Sequence, residues 1–182
     1  MGPDFLKFFA EIIYKISGIP FQDKDYFLLE SRLSEFMKHI GVATPEELMA
    51  LYKEPLKPEF KNQLINACII SDTLFLRDKK SFMCLIDPIL KKFESENKTD
   101  TFKIWSAGCS TGQEPISILL AIDMKMEKLL NRISVKGTDI STIALEKAKK
   151  GVYSGEEVQR GLAITLLLKY FEQLSKKFDF LI

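Results

Sequence analysis

The residues of this chain that could do chemistry are two acids and a set of small residues around one turn. Ile104-Trp105-Ser106-Ala107-Gly108-Cys109-Ser110-Thr111-Gly112-Gln113-Glu114-Pro115 passes from a short apolar run into small residues, and then into a carboxylate that opens an amphipathic stretch. The order is strand, tight turn, helix. Glycines supply the dihedrals of such a turn and let the backbone approach a ligand. Open α/β sheets build nucleotide sites this way, at the carboxyl end of the first strand. The turn lacks the Lys-Ser/Thr of a P-loop and the full Gly-x-Gly-x-x-Gly spacing. Glu114 would stand where a pyrophosphate otherwise lies, so the turn suits a nucleoside ligand with little negative charge; alone, it equally fits an ordinary βα connection. Asp139 follows Gly112 by 27 residues, at the end of the next strand pattern. An acid there is placed to accept hydrogen bonds from ribose hydroxyls. It could also serve as a helix N-terminal acid, although Ser141 already suits the capping role. The pattern as a whole calls for a nucleoside cofactor and leaves NAD and S-adenosylmethionine both open.

Other chemistries find less support. His39, the lone histidine, follows Lys38 on a helical pattern and reads as a surface residue. Cys68, Cys84 and Cys109 are odd in number and lack metal-ligand spacing, so reduced thiols of a cytoplasmic protein are expected and no metal. A formal charge of +1 gives no reason to expect a nucleic-acid partner. No apolar run approaches a membrane span.

The elements that must hold the turn follow from periodicity. Residues 5–17 repeat Phe5, Phe8, Phe9, Ile12, Ile13 and Ile16 at helical spacing before Gly18. Residues 25–40 should bury Phe27, Leu28, Leu33, Phe36 and Met37 and stop at Gly41. Thr44-Pro45-Glu46-Glu47 has a capping residue, then proline, then first-turn acids, and predicts a helix to about Tyr52. A fourth helix covers residues 59–69. Residues 1–70 thus read as an all-helical domain. Residues 71–100 form a connection: an irregular stretch at 71–78, a helix over 79–93 with Phe82, Leu85, Ile86, Ile89 and Leu90 inward and bent at Pro88, and a polar link at 94–100. Residues 101–182 begin as βαβα, the start of a doubly wound, Rossmann-like parallel sheet, giving an α + α/β fold class. Residues 153–171 read as helical or irregular, and 178–182 as a strand cut short. Two parallel strands alone leave apolar faces around Ile104, Ile118, Leu119, Val135 and Ile140 partly uncovered. Self-association as a two-fold homodimer is the simplest expected remedy.

Three stretches carry a resemblance to the chemotaxis protein methyltransferases of the CheR type. Thr73-Leu74-Phe75-Leu76-Arg77-Asp78 resembles the family's Thr-x-Phe-Phe-Arg-[Asp/Glu] signature. Residues 105–115 resemble its Trp-Ser-Ala-[Gly/Ala]-Cys-Ser-Thr-Gly-[Glu/Gln]-Glu-Pro signature. Gly137-Thr138-Asp139-Ile140-Ser141, with Leu145-Glu146-Lys147-Ala148 and Gly151-Val152-Tyr153, is similar to its ribose-acid strand and helix. The resemblance implies methyl transfer from S-adenosylmethionine to glutamate side chains in the cytoplasmic domain of chemoreceptors, with S-adenosylhomocysteine as product. It implies that Glu114 and Asp139 contact the cofactor, with Gly108 in the turn beside it. Ser71, Thr73 and Arg77 would line its methionine end and the transferred methyl, and Arg77 is the one candidate catalytic residue. Ser71 stands where the family has asparagine, and Gln113 where glutamate is commoner. A basic receptor-facing helix is also implied, yet Arg32, Lys38 and His39 are balanced by Glu30 and Glu35. Tyr170-Phe171 followed by Phe178 to Ile182 resembles the approach to a small antiparallel subdomain of the family. The family's Asn-Leu pair and Cys-Arg-Asn segment are absent, so a C-terminally truncated member is expected, either an enzyme or a non-catalytic receptor- or cofactor-binding relative.

Overall fold

The computed structural model describes residues 1–52, 55–96, 99–174 and 177–180. Asn97 and Lys98, expected in the polar link, and Leu181 and Ile182, expected in the last strand, lie outside the described residues. The chain divides into two compact units, Met1–Ile70 with Ile140–Thr142, and Ser71–Asp139 with Ile143–Ile182.

The first unit is built from α1 (Pro3–Ser17), α2 (Tyr26–Ile40), α3 (Pro45–Leu51) and α4 (Pro58–Cys68). Gly18 and Gly41 end the first two helices in left-handed conformation, at φ 74° and 72°. The Thr44 hydroxyl accepts from the Glu47 N–H while the Glu47 carboxylate accepts from Thr44 N–H, a reciprocal cap. The core holds Phe9, Ile13, Leu29, Leu33, Leu48 and Leu64, all fully buried. The expected inner face of α2 needs correcting: Phe27 is 86% exposed and Leu28 37% exposed. The buried stripe is Leu29, Leu33, Phe36 and Met37, spaced i, i+4, i+7 and i+8, and Phe27 falls on the opposite side. Arg32 is also drawn inward. Its guanidinium donates to the carbonyls of Ala67 (3.4 Å) and Ile69 (3.3 Å) at the end of α4, where a cation offsets the helix dipole. Ser141, expected to cap the helix that follows it, donates its hydroxyl to Asn66 Oδ1 at 2.9 Å.

The second unit opens with the irregular residues 71–78 and α5 (Lys79–Cys84), whose N-terminal N–H groups at Lys80 and Ser81 donate to the Asp78 carboxylate. A π-helical turn at Leu85–Leu90 leads into α6 (Lys91–Glu96). Pro88 lies inside that turn; it has no N–H for the α ladder, and the wider spacing resolves the conflict. The change of pitch buries Ile86 and Leu90 but leaves Ile89, expected inside, 46% exposed.

Then come β1 (Phe102–Ala107), α7 (Gln113–Met126) with a 3-10 extension over Glu127–Arg132, β2 (Ile133–Thr138) and α8 (Thr142–Lys150). The strands pair in parallel from Phe102 with Ile133 to Ala107 with Thr138. Phe102, Ile104, Ile133 and Val135 pack with Ile118, Ile122 and Ile86. Of the faces expected to lie open, Ile118 is buried at 6%, while Ile140 is 39% exposed. The bare side of the sheet is the alternate one, where Trp105 is 70% exposed between Lys103 and Lys136. Period-two alternation sends one set of residues under α7 and the other away from it.

Residues 152–180 form β3 (Val152–Ser154), α9 (Gly155–Gln159), α10 (Ile164–Tyr170), β4 (Phe171–Leu174) and β5 (Lys177–Phe180). The last strand does not extend the parallel sheet. It lies between β3 and β4, antiparallel to both. Phe178 and Phe180 then face a core of Phe75, Ile116, Leu120, Tyr153, Tyr170 and Phe171. A small antiparallel sheet at this end is what the family resemblance implied for Tyr170-Phe171 and Phe178 onward.

Candidate functional site

The site is assembled where β1 ends. The N–H groups of Gly108 and Cys109 both donate to the Thr138 carbonyl, at 2.8 and 2.9 Å, closing the turn against the end of β2. Gly108 has φ 76°, Ser110 50° and Gly112 96°. At Gly112 a side chain has no room, because an added Cβ would lie 2.9 Å from the Tyr153 hydroxyl and 3.1 Å from Ala148 Cα. Gly108 is the opposite case. Among the described residues, no atom beyond its chain neighbours lies within 4 Å of an added Cβ, and Gly108 lines an open cavity.

That cavity has a volume of about 420 Å³, within the range of small-molecule sites. Thr73, Arg77 and Asp78 from the irregular stretch face it together with Gly108, Glu114 and Ile118. Ser106, itself buried, donates its hydroxyl to Glu114 Oε1 at 2.7 Å and so fixes the carboxylate in the first turn of α7. The Arg77 guanidinium reaches the Asp72 carbonyl at 3.4 Å and is otherwise exposed. Asp78 is held below the usual carboxylate range by hydrogen bonds from Ser81, side chain and backbone, and from the Lys80 N–H. The walls therefore offer carboxylates and one guanidinium, a set complementary to a zwitterion whose cationic part exceeds its anionic part.

Of the six residues singled out from sequence, Thr73, Arg77, Gly108 and Glu114 share this cavity. Ser71 and Asp139 instead meet at Ser110. The Ser110 N–H donates to Asp139 Oδ2 (2.8 Å), and its hydroxyl donates to the Ser71 carbonyl (2.8 Å). Both thus brace the turn from either side, Ser71 through its backbone. Sequence reasoning named Ser106 and Ser110 only as part of the turn and did not single out Ser117; their hydroxyls tie the turn and helix together. The concentration of serines in and after the turn was the available signal. Tyr153, quoted only within a matching stretch, donates to the Thr111 carbonyl at 2.9 Å.

Cys109 lies buried in this turn. Burial pushes its thiol up from the usual value, and the charges of Asp139 and Glu114 add to the shift. Among the described residues no cluster of His, Cys, Asp and Glu is arranged to hold a metal. No described helix is long and apolar enough to cross a membrane.

Comparison with known proteins decides the family. The profile described as "CheR methyltransferase, SAM binding domain" matches residues 71–180. The chain belongs to the CheR methyltransferase family. It is 30% identical over 168 residues to chemotaxis protein methyltransferase Cher2 of Pseudomonas putida, covering 90% of this chain and 61% of that protein. To the chemotaxis protein methyltransferase of Borreliella burgdorferi it is 32% identical over 178 residues, 94% of this chain and 62% of the relative. The Escherichia coli chemotaxis protein methyltransferase is 27% identical over 162 residues, 89% of this chain and 54% of the relative. The chain thus spans roughly three-fifths of the length of these CheR relatives. The matched region is the family's S-adenosylmethionine-binding domain, and S-adenosylmethionine is the methyl donor that it indicates. The cavity fits a ligand of that kind in charge and room: Glu114 carries a carboxylate, Arg77 a guanidinium, and Gly108 leaves open the space that a side chain would fill.

Proposed function

We propose that this chain carries the cofactor half of a protein-glutamate O-methyltransferase that modifies the cytoplasmic domain of chemoreceptors. The observation that carries the reading is one cavity, of about 420 Å³, faced by Arg77, Glu114 and Gly108 together. When bound, S-adenosylmethionine supplies an electrophilic methyl group on a sulfonium. A glutamate side chain with a pKa of ~4.3 is ionised at neutral pH, so the residues here need not remove a proton from the acceptor. Their work is orientation and exclusion of water, because the reacting charges cancel in the transition state. Glu114, steadied by the Ser106 hydroxyl, would hold an ammonium. Asp139 would hold ribose hydroxyls while fixing the turn through the Ser110 N–H. Arg77 is suited to a carboxylate, since its planar fork donates two parallel hydrogen bonds where lysine offers a point charge. The partner in this reading is the cytoplasmic domain of a chemoreceptor, as the family resemblance implies, and the chain itself is read as a two-fold homodimer.

Isothermal calorimetry with S-adenosylhomocysteine tests the reading. Binding is expected, and Asp139→Ala should weaken it by about 1–3 kcal/mol, the cost of stranding a buried polar group. Tighter binding of NAD than of S-adenosylhomocysteine would remove the methyltransferase assignment of this site. Arg77→Lys should leave the melting temperature unchanged and abolish most methyl transfer in a protein of the relatives' full length. Rates within a few-fold of the parent would exclude Arg77 from the site.

A further inference from the structure

Arg77 owes its position to a backbone conformation that its own neighbour does not favour. Leu76 has φ 51°, and Leu76 and Ser110 are the two non-glycine residues in the left-handed region among those described. For a γ-branched residue this conformation costs about 1–2 kcal/mol and persists only where the surroundings enforce it. The contacts on both sides of it do so. The Leu76 N–H donates to the Ser117 hydroxyl at 2.9 Å. Ser117 is fully buried, and its hydroxyl in turn donates to the Gln113 carbonyl at 2.6 Å, one turn back on α7. On the other side, the Phe75 carbonyl lies where a Gly161 side chain would be, 2.0 Å from an added Cβ. The Phe75 ring, also fully buried, is wedged edge-on between Tyr153 and Phe171, with centroids 5.1 and 5.5 Å away.

We infer that Ser117 is a positioning residue for Arg77: its hydroxyl locks the left-handed turn at Leu76 that sends the guanidinium onto the cavity wall. The inference rests on the proposed role of Arg77 toward the cofactor or substrate carboxylate. Ser117 is not among the residues that face the cavity, whereas Glu114 on the same helix is, so one hydroxyl couples the position of the guanidinium to that of the Glu114 carboxylate. Alanine at 117 would leave the Leu76 N–H without its acceptor and free Leu76 to return to a right-handed or extended conformation. Phe75 would stay anchored, and the following residue would swing.

The test has a ligand-free arm and a ligand arm, both on the chain as it stands. Amide hydrogen exchange should show the Leu76 N–H protected in the parent and rapidly exchanging in Ser117→Ala, with the amides of Leu120 and Ile122 on α7 still protected. Unchanged exchange at Leu76 would overturn the inference, whether or not the chain binds any cofactor. In calorimetry, Ser117→Ala should weaken S-adenosylhomocysteine roughly tenfold, as expected for coupled neighbours. It should weaken it no further in an Arg77→Ala background, and adding Leu76→Asn, which tolerates the left-handed region, should restore most of the loss. Full additivity of Ser117→Ala and Arg77→Ala would overturn the inference. A parent that binds no S-adenosylhomocysteine would defeat the proposed function, and the exchange arm alone would then decide the role of Ser117.

Discussion

The helical unit and the cofactor turn use the same unusual backbone conformation for different ends. In the helical unit the left-handed residues are Gly18 and Gly41, each one step past a helix, with nothing within 4 Å of an added Cβ. There glycine makes termination cheap, and the surrounding core does not depend on it. In the second unit Leu76 and Ser110 take that conformation without glycine's freedom. Both sit beside residues that face or brace the cavity. Gly112 and Gly161 also have no space to grow. Strain and close approach collect where a site must be held, whereas the helical unit shows ordinary caps around an ordinary apolar core.

The largest expected effect would break the comparison if it failed. Gly161→Ala should cost about 3 kcal/mol or more, combining strain at positive φ with overlap on the Phe75 carbonyl. Gly41→Ala should cost about 1 kcal/mol, since only the dihedral is disfavoured. Chemical denaturation gives both numbers, and equal losses would show that crowding at the site contributes nothing.

The buried thiol of the helical unit supplies the second. Burial pushes the Cys68 thiol up to about 12, partly opposed by the nearby charge of Arg32. Its folded-state pKa is above the ordinary 9, so the fold favours the neutral thiol. That stabilisation is complete below pH 9 and is lost as the pH rises through about 12. Urea midpoints should therefore fall across this window and fall less steeply in Cys68→Ala. An identical slope in the variant would mean that other groups set the alkaline limit.

Gly108→Ala sharpens the contrast because its two readouts should separate. Its surroundings are as open as those of Gly41, so stability should drop by a similar ~1 kcal/mol. Gly108 lines the cavity and an added methyl has open space around it, so S-adenosylhomocysteine should bind at least about tenfold more weakly, a loss of ~1.4 kcal/mol. Wild-type affinity would place the cofactor elsewhere.

The smallest effect lies on α2. Phe27→Ser should change stability by less than about 0.5 kcal/mol, as for surface substitutions generally. Leu29→Ala, two positions on, should cost about 2–5 kcal/mol for a buried leucine. Comparable losses would restore Phe27 to the inner face.

The sequence carried the helices of the first unit and the strand, glycine turn, helix, strand and acid of the second, because each is written within a few neighbouring residues as a period, a cap or a turn. It misplaced Phe27, Leu28 and Ile89, where a helix's phase depends on where it begins or on a local change of pitch. The family resemblance pointed to a small antiparallel subdomain at the chain's end, but the order that sets the final strand between β3 and β4 came from the structure. Four cofactor candidates came together as one cavity wall, while Ser71 and Asp139 turned out to grip the turn through Ser110.

What the sequence by itself determined was local: a turn of small residues that only a strand and a helix could flank, with Glu114 and Asp139 at its exits. What the tertiary structure decided was how that turn is held. Leu76 and Ser117 stand 41 positions apart, Ser110 and Ser71 39, and Thr111 and Tyr153 42. Hydrogen bonds across such separations leave no periodic trace in the chain. They exist only once the burial of Phe75, Tyr153 and Phe171 has brought their donors and acceptors within reach, and the strain at Leu76 persists only because those contacts surround it.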